Sequence, residues 1–366
     1  LALVQFVPLP PSLWRELPGR APIAQGFALL GEPLPWLPLG LAPGRALAAL
    51  AWVIPALAIW LALRRPQAPR ALAVRLVIAV ALLSVPLGLA QQISGRGYSY
   101  AITNYGLGPA FFANANHQSD FLLLALALWF GTAWPDARAR LARRGGGRAE
   151  TFAALALVLA PLLLIVGVVA NQSLACLALL GPLLLAGAVI DRPAARLVWP
   201  AAAIVTVSVA LSALVLLAPL GNDLTGASGE AGISRHDFWR TGLVMLRDHW
   251  PVGIGLGGFP ARYGWYEDPD RVGGTFVNHA HNDWLELLVD TGVFGLVLLL
   301  VALAALARLV ARAWRGTDPR ARAAALMIIT LSLHSLVDYP LRTAALSALF
   351  ALACVLIEAR AEDREG

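Results

Sequence analysis

The chain has 366 residues, of which 58% are hydrophobic and only 14% charged, and its net charge is +6. A typical soluble protein carries about 25% charged residues, so this composition excludes an array of soluble domains. The positive charge does not indicate a nucleic-acid partner, because the arginines lie between apolar segments, where they report membrane topology.

Apolar segments of about 20 residues recur along the chain, and each is long enough to cross a hydrocarbon core of about 30 Å. The sequence therefore predicts an all-α polytopic membrane bundle that contacts the lipid bilayer directly. Cys176 and Cys354 lie inside apolar segments, which argues against a disulfide or a zinc site. The predicted spans are residues 46–63, 71–90, 111–130, 151–170, 173–190 and 197–220, then 284–307, 323–337 and 341–357.

The loops between these spans predict an orientation. Those at 64–70, 131–150, 191–196 and 308–322 share one side and carry most of the arginines, which makes that side cytoplasmic. The chain starts without a signal peptide, and we expect further spans before Leu1. The predicted regions are a Pro-rich external segment (1–45) without regular helix, spans 1–6 (46–220), a long external loop (221–283), spans 7–9 (284–358) and a cytoplasmic tail (359–366).

The end of the long external loop is rich in ionisable side chains. On a helix that starts near Asp283, the carboxylates of Asp283, Glu286 and Asp290 lie within about 60° of one another. They form either an acidic stripe facing the bundle interior or favourable charges at a helix N-terminus. His281, just before this helix, has the chemistry to orient or deprotonate a hydroxyl. With His279 it could bind zinc, but no further ligands of suitable spacing follow, and we expect no metal.

Two further polar segments stand out. Asn114, Asn116 and His117 lie at the entrance of the third span, which is costly in lipid and predicts that they face the bundle interior or an aqueous cavity. Ser234 begins a helix in the external loop with a capping-box pattern. Arg235 on that helix either binds an anion with its guanidinium or belongs to a surface helix resting on the bilayer.

The segment 253–258 is rich in glycine but lacks the flanking strand and helix of a dinucleotide-binding motif. It therefore predicts a tight external turn. In the last external turn, Asp338 and Arg342 either pair with each other or add polar groups to the same side of the membrane as the loop.

These segments resemble those of the bacterial O-antigen ligase and polymerase superfamily. Residues 281–295 match its ligase signature, with His281, Asn282, Gly292 and Gly295 at the characteristic positions. The other matching segments are 111–121, which resembles an Asn-x-Asn-His motif, 234–259, which resembles its arginine, tryptophan and glycine region, and 334–342, which resembles its final hairpin.

The resemblance implies a cofactor-free membrane glycosyltransferase with a fold of the C-class type, facing the periplasm in the bacterial inner membrane. The donor would be an undecaprenyl-diphosphate-linked glycan, and the acceptor a sugar hydroxyl of a glycolipid or glycan, with inversion at the transferred sugar. His281 and Asn282 would be catalytic, and Arg235 would bind the diphosphate. Candidate substrate-binding residues are Arg262 and Arg96, of which one would be a second diphosphate-binding arginine, with Asn116, His117, Asp283 and Glu286.

Three alternatives remain open at this point. A polysaccharide polymerase would use the same donor with a second lipid-linked repeat as acceptor, and a protein O-oligosaccharyltransferase would use a protein hydroxyl. A lipid-linked glycan transporter would more often show inverted repeats, which the sequence lacks.

Overall fold

The computed structural model describes residues 3–142, 148–192, 235–272 and 276–365, and within them helices dominate. The strands β1 (Pro8–Leu9) and β2 (Leu37–Pro38) form a short antiparallel pair. Single 3-10 turns occur at Val4–Phe6, Pro269–Arg271 and Pro340–Arg342. The helices are α1 (Pro11–Trp14), α2 (Ala21–Leu30), α3 (Pro43–Ala51), α4 (Val53–Leu63), α5 (Arg70–Ser94), α6 (Ala115–Thr132), α7 (Trp134–Ala142), α8 (Arg148–Ala170), α9 (Leu174–Ala188), α10 (Arg235–His249), α11 (Phe259–Tyr263), α12 (Asp283–Arg315), α13 (Pro319–His334) and α14 (Ala344–Glu365).

Three stretches are long and apolar enough to cross a membrane: Pro43–Leu63, Arg70–Ser94 and Asp283–Arg315. Shorter apolar helices accompany them, among them Leu174–Ala188 and Ala344–Glu358. The chain is thus a mostly helical, multi-pass membrane protein, as its composition predicts. The predicted sixth span and the start of the external loop, including Ser234, lie outside the described residues.

The Pro-rich segment differs from its prediction, because residues 21–30 form the regular helix α2. Pro22 lies in the first turn of this helix, where a missing N–H breaks no intrahelical hydrogen bond. Gly31 ends α2 in a left-handed conformation, with φ of 68°. The prediction of a segment without regular helix was therefore wrong, since the position of a proline matters more than its frequency.

The chain divides into two compact units, of which the first comprises Leu1–Ile54, Pro219–Ala305 and Ser335–Arg342. This unit combines the Pro-rich segment, the described part of the external loop, α12 as far as Ala305 and the last external turn. Its core is an apolar cluster from the loop and from α12: Met245, Ile254, Phe259, Tyr263, Ala280, Leu285 and Val289.

The second unit comprises Pro55–Ala218, Leu306–His334 and Thr343–Gly366, in so far as these are described. Its central helix, α6, is buried along nearly its whole length, including the polar residues His117 to Asp120 in its first turns. Gln118 donates a hydrogen bond to the Ser84 hydroxyl at 2.7 Å. Of the three residues expected to face the bundle interior or an aqueous cavity, His117 is buried, and Asn114 and Asn116 are half-buried.

Candidate active site

The helix that carries the acidic stripe is broken within its third turn. Gly292 has a φ of 58°, which a residue with a Cβ rarely adopts, and its Cα faces the carbonyl of Pro251. The Val293 N–H donates to that carbonyl at 2.9 Å. A glycine is required here by backbone conformation and by close packing, which explains its place in the signature.

The glycine-rich segment binds to this break. The carbonyls of Val289 and Asp290, just before the break, accept hydrogen bonds from the N–H groups of Ile254 (3.1 Å) and Gly255 (2.7 Å). The Gly257 N–H donates to the Asp290 carboxylate at 3.2 Å. The segment is thus a backbone clip that fastens the external loop to α12.

Asn282 caps the start of α12. Its side-chain oxygen accepts a hydrogen bond from the Leu285 N–H at 2.9 Å, the standard N-cap geometry. The preceding residue, His281, has a φ of 49°. The cap and this left-handed residue together set the direction of the His281 side chain. The helix begins at Asp283, where the sequence predicts it.

The acidic stripe surrounds one arginine from the last external turn. Arg342 lies 3.4 Å from Asp283, 3.2 Å from Glu286 and 3.3 Å from Asp290, measured between nitrogen and oxygen atoms. The three carboxylates are buried. Burial by itself would lower the pKa of Arg342, but the carboxylates outweigh it and raise that pKa. We call these four residues the Arg342 cluster.

The carboxylates of this cluster also accept hydrogen bonds from donors outside it. Asp283 accepts hydrogen bonds from the Ser335 hydroxyl at 2.8 Å and the Leu341 N–H at 3.0 Å. Glu286 accepts one from the Ala280 N–H at 2.7 Å. Asp283 and Glu286, predicted as substrate-binding residues, are therefore committed to holding the last external turn against α12.

A second carboxylate joins the two residues predicted to do the chemistry. Asp338 is fully buried, with one oxygen 3.2 Å from His281 Nδ1 and the other 3.5 Å from Arg235 Nη2. The side chains of His281 and Arg235 keep 22% and 21% of their surface exposed. We call these three residues the Asp338 cluster, which brings His281 and Arg235 together although 46 positions separate them.

The imidazole of His281 is held between aromatic rings. It stacks on Phe238 with 5.3 Å between ring centres and an interplanar angle of 17°. Tyr339 meets it edge-on at 5.0 Å. The indole N–H of Trp239 donates to the His281 carbonyl at 3.2 Å. These contacts fix the plane of the ring, and part of the side chain stays exposed.

His279 is arranged differently. Its Nδ1 lies 2.9 Å from Glu286, and its ring centre is 4.2 Å from that of Tyr339. The two histidines of the pair are therefore committed to different carboxylates. Among the described residues, side chains with the donor atoms for a metal ion come together elsewhere, in the second unit: His334 Nδ1 is 2.6 Å from Asp120, and Cys176 is 3.7 Å from the same carboxylate.

Arg262, predicted as a substrate-binding residue, is buried against the N-terminal segment. It donates to the Gly19 carbonyl at 2.8 Å, and its guanidinium lies 3.7 Å from the centre of the Trp265 ring. Burial and the charge of Arg262 lower the pKa of the neighbouring His249 to about 4, so that histidine is neutral at physiological pH. The described contacts of Arg262 are thus those of a residue that anchors a loop.

The remaining predicted residues belong to the second unit. Arg96 is exposed, and its N–H donates to the Ser94 hydroxyl at 3.2 Å. Asn116 lies in the first turn of α6, where its N–H donates to the side chain of Asn114 at 2.8 Å, and His117 beside it is buried.

A family comparison bears directly on this geometry. Residues 156–300 match the sequence model of the family described as O-antigen ligase. The chain contains an O-antigen ligase domain. The resemblance found in the motifs is therefore confirmed. A search among curated proteins found no match.

This match indicates a glycan-transferring membrane enzyme, and the partners that the family implies are lipid-linked glycans and glycan acceptors. The ligase domain includes Arg235, His281 and the whole acidic stripe. It ends before Asp338 and Arg342, whose segment closes both clusters.

The residues that sequence reasoning undervalued are Asp338, Tyr339 and Phe238. Asp338 was considered mainly as a partner for Arg342 across the turn, and the structure places it against His281 and Arg235. The sequence feature that could have indicated the role of Asp338 is a pair of opposite charges in a Pro-containing hairpin between two apolar segments. Such a pair predicts a buried polar contact, but it does not identify the residues that Asp338 contacts.

Proposed function

We propose that the ligase domain transfers an undecaprenyl-diphosphate-linked glycan to a sugar hydroxyl on the external face of the bacterial inner membrane. The observation that carries this proposal is the Asp338 cluster. One buried carboxylate holds a histidine and an arginine side by side, each with part of its surface accessible. A proton acceptor and an anion-binding group next to each other are what a transfer from a diphosphate requires.

Arg235 acts on the leaving group. As the bond between the sugar and the diphosphate breaks, negative charge grows on the bridging phosphate oxygen, and a fixed guanidinium stabilises that charge. Asp338 lies at 3.5 Å on one side of Arg235 and orients it while leaving other N–H groups for the phosphate. The proposal includes no metal or other cofactor.

His281 acts on the acceptor. The Asp338 oxygen 3.2 Å from Nδ1 favours the tautomer with its proton on that nitrogen, which leaves Nε2 as the proton acceptor. Nε2 takes the proton of the acceptor hydroxyl while the hydroxyl oxygen attacks the anomeric carbon. The diphosphate leaves from the opposite face, so the configuration of the transferred sugar inverts.

The other predicted residues take supporting parts in this proposal. Asn282 positions His281 by capping α12, and Asp283 and Glu286 position the last external turn. We retain Arg262 and Arg96 as candidates for a second diphosphate-binding arginine. Asn116 and His117 remain candidate substrate-binding residues in the second unit.

The predicted topology and the C-class fold belong to the same proposal. The predicted external regions, 1–45 and the described part of 221–283, fall in one compact unit with Ser335–Arg342. This grouping supports an arrangement in which they share one side of the membrane.

A polymerase would use the same chemistry, but its acceptor would be a second lipid-linked repeat. A strain that lacks the gene distinguishes the two. Long chains stranded on the lipid carrier indicate a ligase, and acceptors with a single repeat indicate a polymerase. An unchanged glycan profile with altered transport of the lipid-linked glycan would contradict both. Transfer to a protein hydroxyl would appear as loss of protein-linked glycan.

The proposal is tested with Arg235→Ala and His281→Ala in that strain. We expect glycan transfer to be lost while each variant inserts into the membrane at the wild-type amount. Arg247→Ala is the matched control, because Arg247 lies on the same helix, is exposed and pairs only locally with Asp248 among its described contacts. Full transfer by either test variant would remove that residue from the mechanism.

A further inference from the structure

A groove of about 310 Å³ lies beside α10 in the first unit. Its volume is at the lower end of the range for small-molecule sites, roughly 300–1,000 Å³. One wall is formed by residues 237, 240, 241 and 244, which lie on one face of α10. The other wall is formed by Tyr263 at the end of α11 and by residues 266–268 after it. We call it the α10 groove; its lining residues are Asp237, Arg240, Thr241, Val244, Tyr263, Tyr266, Glu267 and Asp268.

The chemistry of these walls suits a sugar. A sugar ring offers hydroxyl groups that both donate and accept hydrogen bonds, and C–H faces that pack on aromatic rings. The groove combines carboxylates that accept, a guanidinium that donates, a hydroxyl that does both, and two tyrosine rings.

The groove lies next to the proposed reaction centre. Phe238 is on α10 between the two, and its ring stacks on His281 at 5.3 Å. The same ring meets Tyr263, a wall of the groove, edge-on at 6.0 Å. One aromatic ring therefore separates the proposed catalytic imidazole from the groove, which places a bound sugar close to the end of the glycan that reacts.

The charge of the groove predicts which sugars it accepts. It contains the carboxyl groups of Asp237, Glu267 and Asp268 but only one guanidinium, that of Arg240. Burial is the main cause that raises the pKa of Tyr263, and the charges of Glu267 and Asp237 add to it. The charges of Arg262 and Arg247 act in the opposite direction on the pKa of Tyr266. The net charge of the lining residues is nevertheless negative, with three carboxyl groups against one guanidinium. A carboxylated sugar such as a uronic acid would be repelled, whereas a neutral or amino sugar would not.

We propose that the α10 groove binds a neutral or amino sugar unit of the glycan and discriminates against anionic sugars. The sugar belongs either to the donor glycan or to the acceptor. Only this assignment of the sugar to a substrate rests on the proposed transfer function. Sugar binding itself is measured without turnover, so it is tested separately from catalysis.

The binding test uses the full chain in detergent and saturation-transfer NMR with three disaccharides: maltose, the glucosamine disaccharide and digalacturonate. We expect maltose and the glucosamine disaccharide to bind, and digalacturonate to bind about fivefold more weakly, the ratio that corresponds to 1 kcal/mol of charge repulsion. The double variant Glu267→Gln, Asp268→Asn should remove this difference. Val244→Trp, which fills the groove, should abolish binding of all three.

Three results would overturn the groove as a sugar site. These are no saturation transfer to any disaccharide, digalacturonate binding as well as maltose, or unchanged binding by a folded Val244→Trp variant. Thr241→Val, which removes a groove hydroxyl at nearly constant volume, gives a milder second test and should weaken maltose binding. Failure of the transfer proposal has a different signature, because Arg235→Ala and His281→Ala would then retain transfer.

The source of the sugar is identified with the lipid-linked donor and the acceptor extracted from native membranes. A KM raised several-fold in the Val244→Trp variant for the donor alone assigns the groove to the donor glycan. The same rise for the acceptor alone assigns it to the acceptor. If neither KM changes, the groove has no part in substrate binding and the proposal is wrong.

Discussion

The Arg342 cluster and the Asp338 cluster use the same kinds of group in opposite ways. In the first, three buried carboxylates surround one guanidinium and also accept hydrogen bonds from neighbouring donors. In the second, one buried carboxylate serves a histidine and an arginine that each keep about a fifth of their surface accessible. The first cluster therefore gives one cation three carboxylates that hold it in place, whereas in the second a histidine and an arginine share one carboxylate and have less to fix them in the fold.

The largest effect is expected from removal of Arg342 from the first cluster. Arg342→Ala leaves three buried carboxylates without their counter-charge, and breaking a buried ion pair costs about 3–5 kcal/mol. We expect a large loss of folded protein, measured by the amount in membranes and by thermal unfolding in detergent.

Arg96→Ala is the control for Arg342→Ala, because Arg96 is an exposed arginine and its loss should leave the protein amount unchanged. If the Arg342→Ala variant is stable and loses only glycan transfer, Arg342 takes part in catalysis. The proposed difference between the two clusters is then wrong.

The Asp338 cluster should respond in activity and not in stability. Asp338→Asn keeps an oxygen for the Tyr339 N–H, which donates to Asp338 at 2.9 Å, but removes the charge that orients His281 and Arg235. We expect glycan transfer to fall by about 10²–10⁴-fold, the usual contribution of general base catalysis, at normal protein amount.

The outcome is read from transfer rates normalised to the protein in the membrane. A variant that unfolds as Arg342→Ala does would assign Asp338 to the architecture.

The smallest effect should come from the cap between the two clusters. Asn282→Ala removes the acceptor for the Leu285 N–H, and loss of such a cap costs about 1 kcal/mol. Asn282→Asp retains an acceptor and serves as the matched variant. We expect a small fall in thermal stability and partial transfer for Ala, and near wild-type behaviour for Asp. Complete loss of transfer by both would indicate that the amide of Asn282 contacts the substrate.

The sequence predicts the local parts of this site well. The start of α12 at Asp283 and the common face of its three carboxylates follow from helical periodicity, which acts over a few residues. Asn282 beside His281 is likewise placed by local capping chemistry. The family motif adds Gly292, whose backbone conformation explains its presence.

The partners across the chain were not predictable in the same way. Arg342 lies 52 positions after Asp290, and Arg235 lies more than a hundred before Asp338. Charge alone permits many pairings among 28 arginines and 22 acidic residues, so the choice is made by packing. The Pro-rich segment was misjudged for a related reason, because Pro22 falls in the one turn of α2 that tolerates it.

The break at Gly292 also divides α12 into a segment held by the external loop and a segment that is long enough to cross a membrane. Residues 283–291 are fastened to the external loop by backbone hydrogen bonds, whereas residues 293–315 continue as helix for about 34 Å, enough by themselves to cross a hydrocarbon core. An exchange of substrate specificity between two such enzymes should therefore join their sequences at Gly292. A junction at the apparent loop end, Asp283, would separate the acidic stripe from the glycine clip that belongs to it.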